Sequence, residues 1–73
     1  MILYSKPGCC LCEHAKALLE QAKLEYREVN ILEDEAAMRL YAFEIPVLTD
    51  KNGKELLKGD FSEARVAALL LRL

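Results

Sequence analysis

The spacing of apolar and polar residues in the first half of the chain predicts a strand, a helix and a second strand. Residues 1–5 form a short apolar run that ends before the first charge, at Lys6, which is typical of a strand inside a sheet. Across residues 10–23, apolar side chains recur at three- and four-residue intervals with charged residues opposite them, as in an amphipathic helix. The predicted core face of this helix consists of Leu11, Ala15, Leu18, Leu19 and Ala22. Residues 24–30 alternate in polarity and predict the second strand.

The next part of the chain predicts another helix, followed by a hairpin of two strands. Residues 33–41 begin with acidic side chains, which the positive end of a helix dipole favours. The inner face of this helix is predicted to consist of Ala36, Ala37, Leu40 and either Tyr41 or Phe43. Residues 45–49 form the third strand, with Pro46 near its start, where a strand tolerates proline. An Asn-Gly turn at Gly53 then leads into a fourth strand at residues 55–58.

A third helix is predicted over residues 61–73. Gly59 and Asp60 interrupt the fourth strand, and Asp60 followed by Glu63 has the pattern of a capping box. The predicted core stripe of this helix consists of Val66, Leu69, Leu70 and Leu73. Further apolar residues on the helix are interpreted as wide contact with the core, with a dimer face as the alternative.

The order of elements is therefore β-α-β-α-β-β-α, which predicts an α/β fold with one mixed four-stranded sheet and three helices. The first two strands should be parallel and joined by a right-handed crossover, because a helix connects them. The last two strands should form an antiparallel hairpin. With 73 residues and no low-complexity segment, residues 1–73 are expected to form a single domain.

Composition and charge narrow the classes of partner. The formal net charge is −2 and no basic patch is present, which argues against nucleic acid as the main partner. No apolar run approaches the roughly 18 residues of a membrane-spanning helix, so no membrane partner is expected. The first residues lead straight into a strand with no secretory pattern, which predicts a cytoplasmic protein. We expect it to be a monomer.

The candidate chemistry lies between the first strand and the first helix, where Cys9 and Cys12 have the C-x-x-C spacing of thiol–disulfide chemistry. A helix that begins near Cys9 or Cys10 directs unpaired N–H groups and the positive end of its dipole toward Cys9, which favours a thiolate there. Cys12 lies about one turn further along the same face and can attack a mixed disulfide at Cys9. Lys6 adds a nearby positive charge, so the sequence predicts a redox-active dithiol.

Other interpretations of these residues remain open at this point. Cys9 and Cys12 could be buried structural thiols, although such thiols need neither a Pro-Gly turn nor a helix start. Cys10 is interpreted as a tolerated surface residue, and His14 as an exposed helix residue rather than a proton shuttle. In a different class of function, Cys9, Cys10, Cys12 and His14 could bind a metal ion or an iron–sulfur cluster. That site would need ligands from a second chain or from glutathione, because no second cysteine pair exists.

Three landmarks give the chain a family resemblance. The run Tyr-Ser-Lys-Pro-Gly-Cys-x-x-Cys at residues 4–12, Ile45-Pro46 before the third strand and Gly59-Asp60 before the last helix resemble a glutaredoxin. The chain looks most similar to small bacterial glutaredoxin-like proteins, which implies the thioredoxin fold. The resemblance implies that Cys9 is the nucleophile and Cys12 the resolving cysteine. It also implies a cis proline at Pro46 that faces the dithiol.

The resemblance further implies where a substrate would bind. Lys6 matches the lysine near the glycyl carboxylate of glutathione, Ile45 would pair with an extended substrate, and Gly59 and Asp60 match the site of a second carboxylate. The chain departs from the family pattern along this groove, at Cys10, Leu11, Glu44, Lys58 and Phe61. We therefore expect a thiol–disulfide oxidoreductase that reduces protein or glutathione mixed disulfides. No cofactor or metal is expected, with glutathione as a possible co-substrate. The sequence does not indicate which reductase would return electrons to the protein.

Overall fold

The computed structural model describes residues 1–72, so the predicted core position Leu73 lies outside the described residues. Four strands and three helices follow one another in the predicted order, and a short 3₁₀ helix at Ile31–Glu33 is inserted after the second strand. The elements are β1 (Ile2–Ser5), α1 (Cys10–Gln21), β2 (Arg27–Asn30), α2 (Glu35–Tyr41), β3 (Val47–Thr49), β4 (Glu55–Lys58) and α3 (Glu63–Arg72).

The four strands form one mixed sheet in the order β2-β1-β3-β4. Strand β1 pairs parallel with β2 and antiparallel with β3, so it lies inside the sheet as its apolar composition predicted. Strands β3 and β4 form the predicted antiparallel hairpin, with an irregularity in register between Leu48 and Thr49. The predicted α/β architecture with three helices is confirmed.

The hydrophobic core is divided between the two faces of the sheet because side chains alternate along each strand. Leu3 of β1 and Leu48 of β3 belong to the larger cluster, which includes residues of α1 and α3. Val47 of β3 belongs to the smaller cluster with residues of α2. The ring of Tyr4, on the same face as Val47, stacks at 4.8 Å between centroids on Tyr41 of α2. The fold therefore places α1 and α3 on one face and α2 on the other.

The first helix and second strand are shorter than predicted. Helix α1 ends at Gln21, and the positive φ of 60° at Lys23 breaks the helical path. Strand β2 begins only at Arg27, although Leu24 and Tyr26 still pack against the core from the loop before it. The prediction that Leu11 lies in the core is wrong, because the buried stripe of α1 begins at Cys12 and Leu11 is 46% exposed.

The predicted inner face of α2 is only partly correct. Ala37 and Tyr41 are buried four residues apart, one helical turn, against the sheet. Ala36 and Leu40 are exposed, in contrast to the prediction, and of the two alternatives Tyr41 is buried and Phe43 is exposed. Helix α2 starts two residues later than predicted because Ile31–Glu33 forms the 3₁₀ helix. The Asp34 side chain then caps α2 by accepting the Ala37 N–H at 3.1 Å.

The start of α3 also differs from the prediction. The Oγ of Ser62 accepts the N–H of Arg65 at 3.1 Å and caps the helix, whereas Asp60 lies three residues before its first residue, Glu63. Within the predicted stripe, Val66 and Leu69 are buried, but Leu70 is 41% exposed and does not belong to the core. Strand β3 begins at Val47, so Pro46 precedes the strand instead of lying within it as predicted.

Candidate dithiol site

The sheet topology brings the three landmarks of the sequence to one edge. Because β1 and β2 run parallel to each other and antiparallel to β3, the end of β1 lies beside the start of β3. Cys9 follows β1, Pro46 precedes β3 and Gly59 follows β4 at that same edge. Tyr4 pairs with Val47, so Ser5 and Pro46 lie side by side one residue further on. The N–H of Gly59 donates to the carbonyl of Pro46 at 2.9 Å, which joins the third landmark to the second.

Cys9 occupies the cap position of α1. Gly8 has a φ of 78°, a left-handed conformation that glycine adopts without strain, and it turns the chain from β1 into the helix. The Sγ of Cys9 then accepts the N–H of Cys12 at 3.3 Å, and its carbonyl accepts the N–H of Glu13 at 3.1 Å. Helix caps are normally Ser, Thr, Asp or Asn, so a sulfur here takes the position of a capping oxygen. The predicted start of the helix at the dithiol is confirmed.

Cys12 is held in a different environment from Cys9. Its side chain is fully buried, whereas Cys9 is partly exposed at the surface. Burial, followed by the hydrogen bond with the Cys9 side chain, raises the pKa of the Cys12 thiol to about 12. The backbone N–H of Lys6 and the charge of Lys16 act in the opposite direction. At neutral pH Cys12 is therefore a protonated thiol, and of these two sulfurs only Cys9 is accessible to a substrate.

The remaining candidate ligands around the dithiol are exposed. Cys10 and His14 both lie on the solvent side of α1, as predicted. Within residues 1–72, no group of three or more His, Cys, Asp or Glu side chains is arranged to hold a metal ion. The three cysteines would therefore require outside ligands to bind a metal ion or cluster.

A polar network beside the dithiol was not anticipated from the sequence. The Nζ of Lys16 lies 2.6 Å from a carboxylate oxygen of Glu28, and the same oxygen accepts the hydroxyl of Ser5 at 2.8 Å. Glu13 contributes a second carboxylate to Lys16 at 3.3 Å. The hydrogen bonds from Lys16 and then Ser5 lower the pKa of Glu28, and the bond to Glu28 raises the pKa of Lys16. The network lines a polar cleft of about 510 Å³ that extends to the loop before Cys9.

Two spacings on α1 carried a signal in the sequence. Glu13 and its partner Lys16 are three residues apart, the spacing of an ion pair along a helix. Lys16 also follows Cys12 by four residues, so the two lie on one face of α1. Ser5 and Glu28 are 23 residues apart, and only the pairing of β1 with β2 brings them together.

A second ion pair flanks the proline on the other side of the edge. The Nζ of Lys58 lies 3.3 Å from Glu44 and 3.5 Å from Glu55. The hydrogen bond with Glu44 raises the pKa of Lys58. Glu44 precedes the Ile45–Pro46 bond, which is cis, and Lys58 precedes Gly59. Glu44 and Lys58 both depart from the family pattern. Because they form an ion pair, the charge that one adds is balanced by the charge of the other.

The other predicted binding residues lie at this edge in different surroundings. Lys6 and Asp60 are exposed, whereas Ile45 and Gly59 are partly buried. The guanidinium of Arg65 donates to the backbone carbonyl of Asp60 at 2.6 Å, which leaves the Asp60 carboxylate out of that contact. The resemblance placed Gly59 and Asp60 at a helix N-terminus, but α3 begins only at Glu63. The substrate roles of Lys6, Ile45, Pro46, Gly59 and Asp60 stay predictions.

Comparison with known proteins agrees with this arrangement. A family model described as a glutaredoxin-like domain (DUF836) matches residues 1–71. The chain belongs to this glutaredoxin-like family. The glutaredoxin-like chain is also similar to the X-ray structure of the structural genomics target protein XcR50 from X. campestris. The two are 34% identical, with a TM-score of 0.85, over 99% of this chain and 96% of the other.

No curated protein matches the glutaredoxin-like chain. Within residues 1–72, none of the helices has the length and apolar composition needed to cross a membrane. The matches to the family model and to a solved structure establish the family and the thioredoxin-like fold.

Proposed function

We propose that this protein is a thiol–disulfide oxidoreductase that uses Cys9 as nucleophile and Cys12 as resolving cysteine. The observation that carries the proposal is the position of Cys9, partly exposed at the cap of α1 with its sulfur accepting the N–H of the buried Cys12. An N–H donor and the positive end of a helix dipole both stabilise a negative charge on that sulfur. The thiolate is the form that attacks a disulfide.

The first step forms a mixed disulfide. The Cys9 thiolate attacks one sulfur of the substrate disulfide, a new S–S bond forms to Cys9, and the other substrate sulfur leaves as a thiolate that takes up a proton. The Cys12 thiol then loses its proton and attacks the Cys9 sulfur. The second substrate sulfur leaves as a thiolate and takes up the proton that Cys12 released, and a Cys9–Cys12 disulfide forms. The protein is oxidised by two electrons, and the substrate disulfide is reduced to two thiols.

The surroundings of Cys12 suit the second step. In the dithiol state, burial raises the pKa of Cys12 most, and the hydrogen bond and the charge of Cys9 raise it further. Once Cys9 is bound in a mixed disulfide it carries no negative charge, so its electrostatic contribution is removed. The backbone N–H of Lys6 and the charge of Lys16 continue to favour the Cys12 thiolate. Formation of the mixed disulfide therefore makes Cys12 easier to deprotonate, which orders the two steps.

The substrate is a protein disulfide or a mixed disulfide with glutathione. A thiol such as glutathione, or a flavoprotein reductase, must return two electrons to the Cys9–Cys12 disulfide after each turnover. A metal or iron–sulfur module would instead need ligands from glutathione or a second chain, because the described side chains form no group that could hold a metal.

Redox equilibration in glutathione buffers of graded potential tests the proposal, with thiols alkylated and the protein weighed intact. We expect the loss of two hydrogens, mapped to Cys9 and Cys12, with one defined midpoint. Cys10→Ser is the matched control, since it removes the neighbouring exposed thiol and should leave the midpoint unchanged. Cys9→Ser should abolish the reduction of disulfides. Full activity in Cys9→Ser would show that the mechanism is wrong.

A further inference from the structure

The side chain of Lys16 turns back along α1 toward the turn that carries the buried Cys12. A long side chain on a helix covers the turn before its own Cα, and the Nζ of Lys16 lies 3.3 Å from a carboxylate oxygen of Glu13, three residues earlier. Cys12 directly precedes Glu13 and lies four residues before Lys16, on the same face of the helix. The ammonium of Lys16 is therefore placed beside the turn of α1 to which Cys12 belongs.

Strands β1 and β2 hold the ammonium in this position. The Nζ of Lys16 lies 2.6 Å from Glu28 of β2, and the same carboxylate oxygen accepts the hydroxyl of Ser5 at 2.8 Å. Ser5 is buried at the end of β1 and directly precedes Lys6, whose backbone N–H favours the Cys12 thiolate. The charge of Lys16 is thus fixed at the end of β1 from which Lys6 acts on Cys12.

Lys16 is the least exposed of the three charged groups in this network. Its side chain is 23% exposed, compared with 44% for Glu28 and 66% for Glu13. Solvent screens the two carboxylates more strongly than it screens an ammonium that lies against the protein. The two carboxylates therefore hold Lys16 in place without cancelling its charge toward the interior, and this charge lowers the pKa of Cys12.

The second step of the proposed reaction creates a need for such a charge. The Cys9 sulfur is partly exposed, so water can solvate the thiolate that attacks the substrate. The Cys12 sulfur is fully buried, and a negative charge that develops there is cut off from water. A buried charge is costly unless the protein itself supplies a compensating group. The attack of Cys12 should therefore depend on charges inside the protein far more than the attack of Cys9 does.

From these observations, and resting on the proposed function, we infer that Lys16 is a positioning residue for the resolving step. Its ammonium, held by Glu13 and Glu28, stabilises the negative charge on the Cys12 sulfur while that sulfur attacks Cys9 in the mixed disulfide. Lys16 itself transfers no proton. The S–S bond between Cys9 and Cys12 forms, the bond to the substrate sulfur breaks, and the leaving sulfur takes up the proton that Cys12 released.

The pH dependence of the second step should report Cys12, because the charges around it stay constant near neutrality. The pKa of Glu28 is lowered by its hydrogen bonds with Lys16 and Ser5, so it remains a carboxylate, and the pKa of Lys16 is raised by Glu28, so it remains an ammonium. Tyr26 also faces these charges, and burial raises its pKa, which keeps it neutral. The other ionisable side chains that line this cleft are those of Lys6, Glu13 and Glu33.

Stopped-flow reduction of dithiodipyridine by the dithiol protein separates the two steps. This small neutral disulfide releases a thiol that absorbs light as thiopyridone, so each step gives its own signal. The first thiopyridone appears when Cys9 attacks, at a rate proportional to the reagent concentration. The second appears when Cys12 resolves the mixed disulfide, at a rate independent of that concentration. All variants carry Cys10→Ser, which removes the other exposed thiol.

Lys16→Gln should slow the second release about 10-fold and shift its pH profile about one unit to higher pH, because loss of the positive charge makes the Cys12 thiolate harder to form. The first release should change by less than about 2-fold. Lys16→Arg keeps the charge and should keep the second release within about 3-fold of the unmodified rate. Lys51→Gln is the matched control, because it removes the same charge from the turn after β3, at the opposite edge of the sheet, and should leave both releases unchanged.

The outcomes separate this inference from the proposed function. If both thiopyridones are released but Lys16→Gln leaves the second rate and its pH profile unchanged, the role of Lys16 is overturned and the oxidoreductase stands. The same holds if Lys16→Gln slows both releases equally, or if Lys16→Arg is as slow as Lys16→Gln, since the charge would not then act on Cys12. If the protein with Lys16 intact gives no second release, Cys12 resolves nothing, and the proposed function fails together with the inference.

Discussion

The backbone N–H of Cys12 donates to the Sγ of Cys9 at 3.3 Å, so the buried cysteine helps to hold the surface cysteine as a helix cap. This relationship makes the two sulfurs unequal although they differ by only three positions. Cys9 receives an N–H donor at the surface, whereas Cys12 lies in the interior with its pKa raised to about 12 by burial. The proposed roles of Cys9 as nucleophile and Cys12 as resolving cysteine rest on this difference.

The first prediction concerns the accessibility of the three thiols. Iodoacetamide should modify Cys9 and Cys10 in the native protein and should modify Cys12 only after unfolding, because Cys12 is fully buried and its pKa is raised to about 12. Peptide mapping after timed alkylation measures the three rates, and the urea-unfolded protein is the control. Modification of Cys12 as fast as Cys10 in the native state would contradict the assigned environment.

The second prediction concerns the intermediate. In a Cys10→Ser background, Cys12→Ser should accumulate a stable mixed disulfide at Cys9 when treated with glutathione disulfide, because no sulfur is available to resolve it. Intact mass before and after reduction measures the adduct. The Cys10→Ser protein with Cys12 intact is the control and should retain little adduct. Accumulation of the adduct in the control to the same extent would exclude Cys12 as the resolving residue.

The third prediction concerns the ion pair between Lys16 and Glu28. The pKa of Glu28 is lower in the folded protein than its ordinary value of 4.5, chiefly because of the hydrogen bond with Lys16. The ion pair therefore stabilises the folded state above pH 4.5. This stabilisation is lost as the pH falls through the pKa that Glu28 has in the folded state. The raised pKa of Lys16 keeps it charged through this range. Because the side chain of Glu28 is 44% exposed, solvent screening limits the effect of Glu28→Gln at neutral pH to about 1 kcal/mol.

Urea unfolding at a series of pH values measures this dependence. The difference in the free energy of unfolding between the unmodified protein and Glu28→Gln should shrink toward zero well below pH 4.5. Glu33→Gln removes a carboxylate from the same cleft that has no salt bridge among the described residues, and it should show little pH-dependent difference. A difference that persists unchanged in acid would assign the effect to packing instead of charge.

The fourth prediction tests the cap of the last helix. Ser62→Ala should reduce the free energy of unfolding by about 1 kcal/mol, because it removes the acceptor for the Arg65 N–H. Asp60→Ala is the control, since the hydrogen bond that Asp60 forms within residues 1–72 uses its backbone carbonyl, which alanine retains. Thermal and urea unfolding compare the two. If Asp60→Ala proved the more destabilising, the capping box suggested by the sequence would replace the cap observed at Ser62.

The fifth prediction concerns the core of the sheet. Leu3→Ala should cost about 2–5 kcal/mol, because Leu3 is fully buried in the inner strand β1 and the substitution leaves a cavity. Such a loss is a large part of the stability of a typical small domain, about 5–15 kcal/mol. Leu40→Ala deletes the same atoms from a side chain that is 65% exposed and should change stability by less than about 0.5 kcal/mol. Similar losses in both variants would contradict the assigned core.

Local sequence alone determined the order of the elements and the position of the dithiol. The helical spacing of Ala15, Leu18 and Leu19, the Asn-Gly turn before β4 and the C-x-x-C spacing at the start of α1 each act over a few neighbouring residues. Such patterns can be recognised in the sequence because each depends on residues only two to four positions apart. The family landmarks at Cys9, Pro46 and Gly59 could be recognised in the same way.

Tertiary structure decided which of these residues are buried, capped or paired. Leu11, Leu40 and Phe43 match a core pattern but are exposed, because no element of the described chain packs over them. The contact between Ser5 and Glu28 joins residues 23 positions apart and exists only because β1 and β2 pair in parallel. Burial and long-range pairing depend on which surfaces meet once the sheet is assembled. Periodicity along the chain indicates the core face of a helix but does not decide which of its residues another element covers.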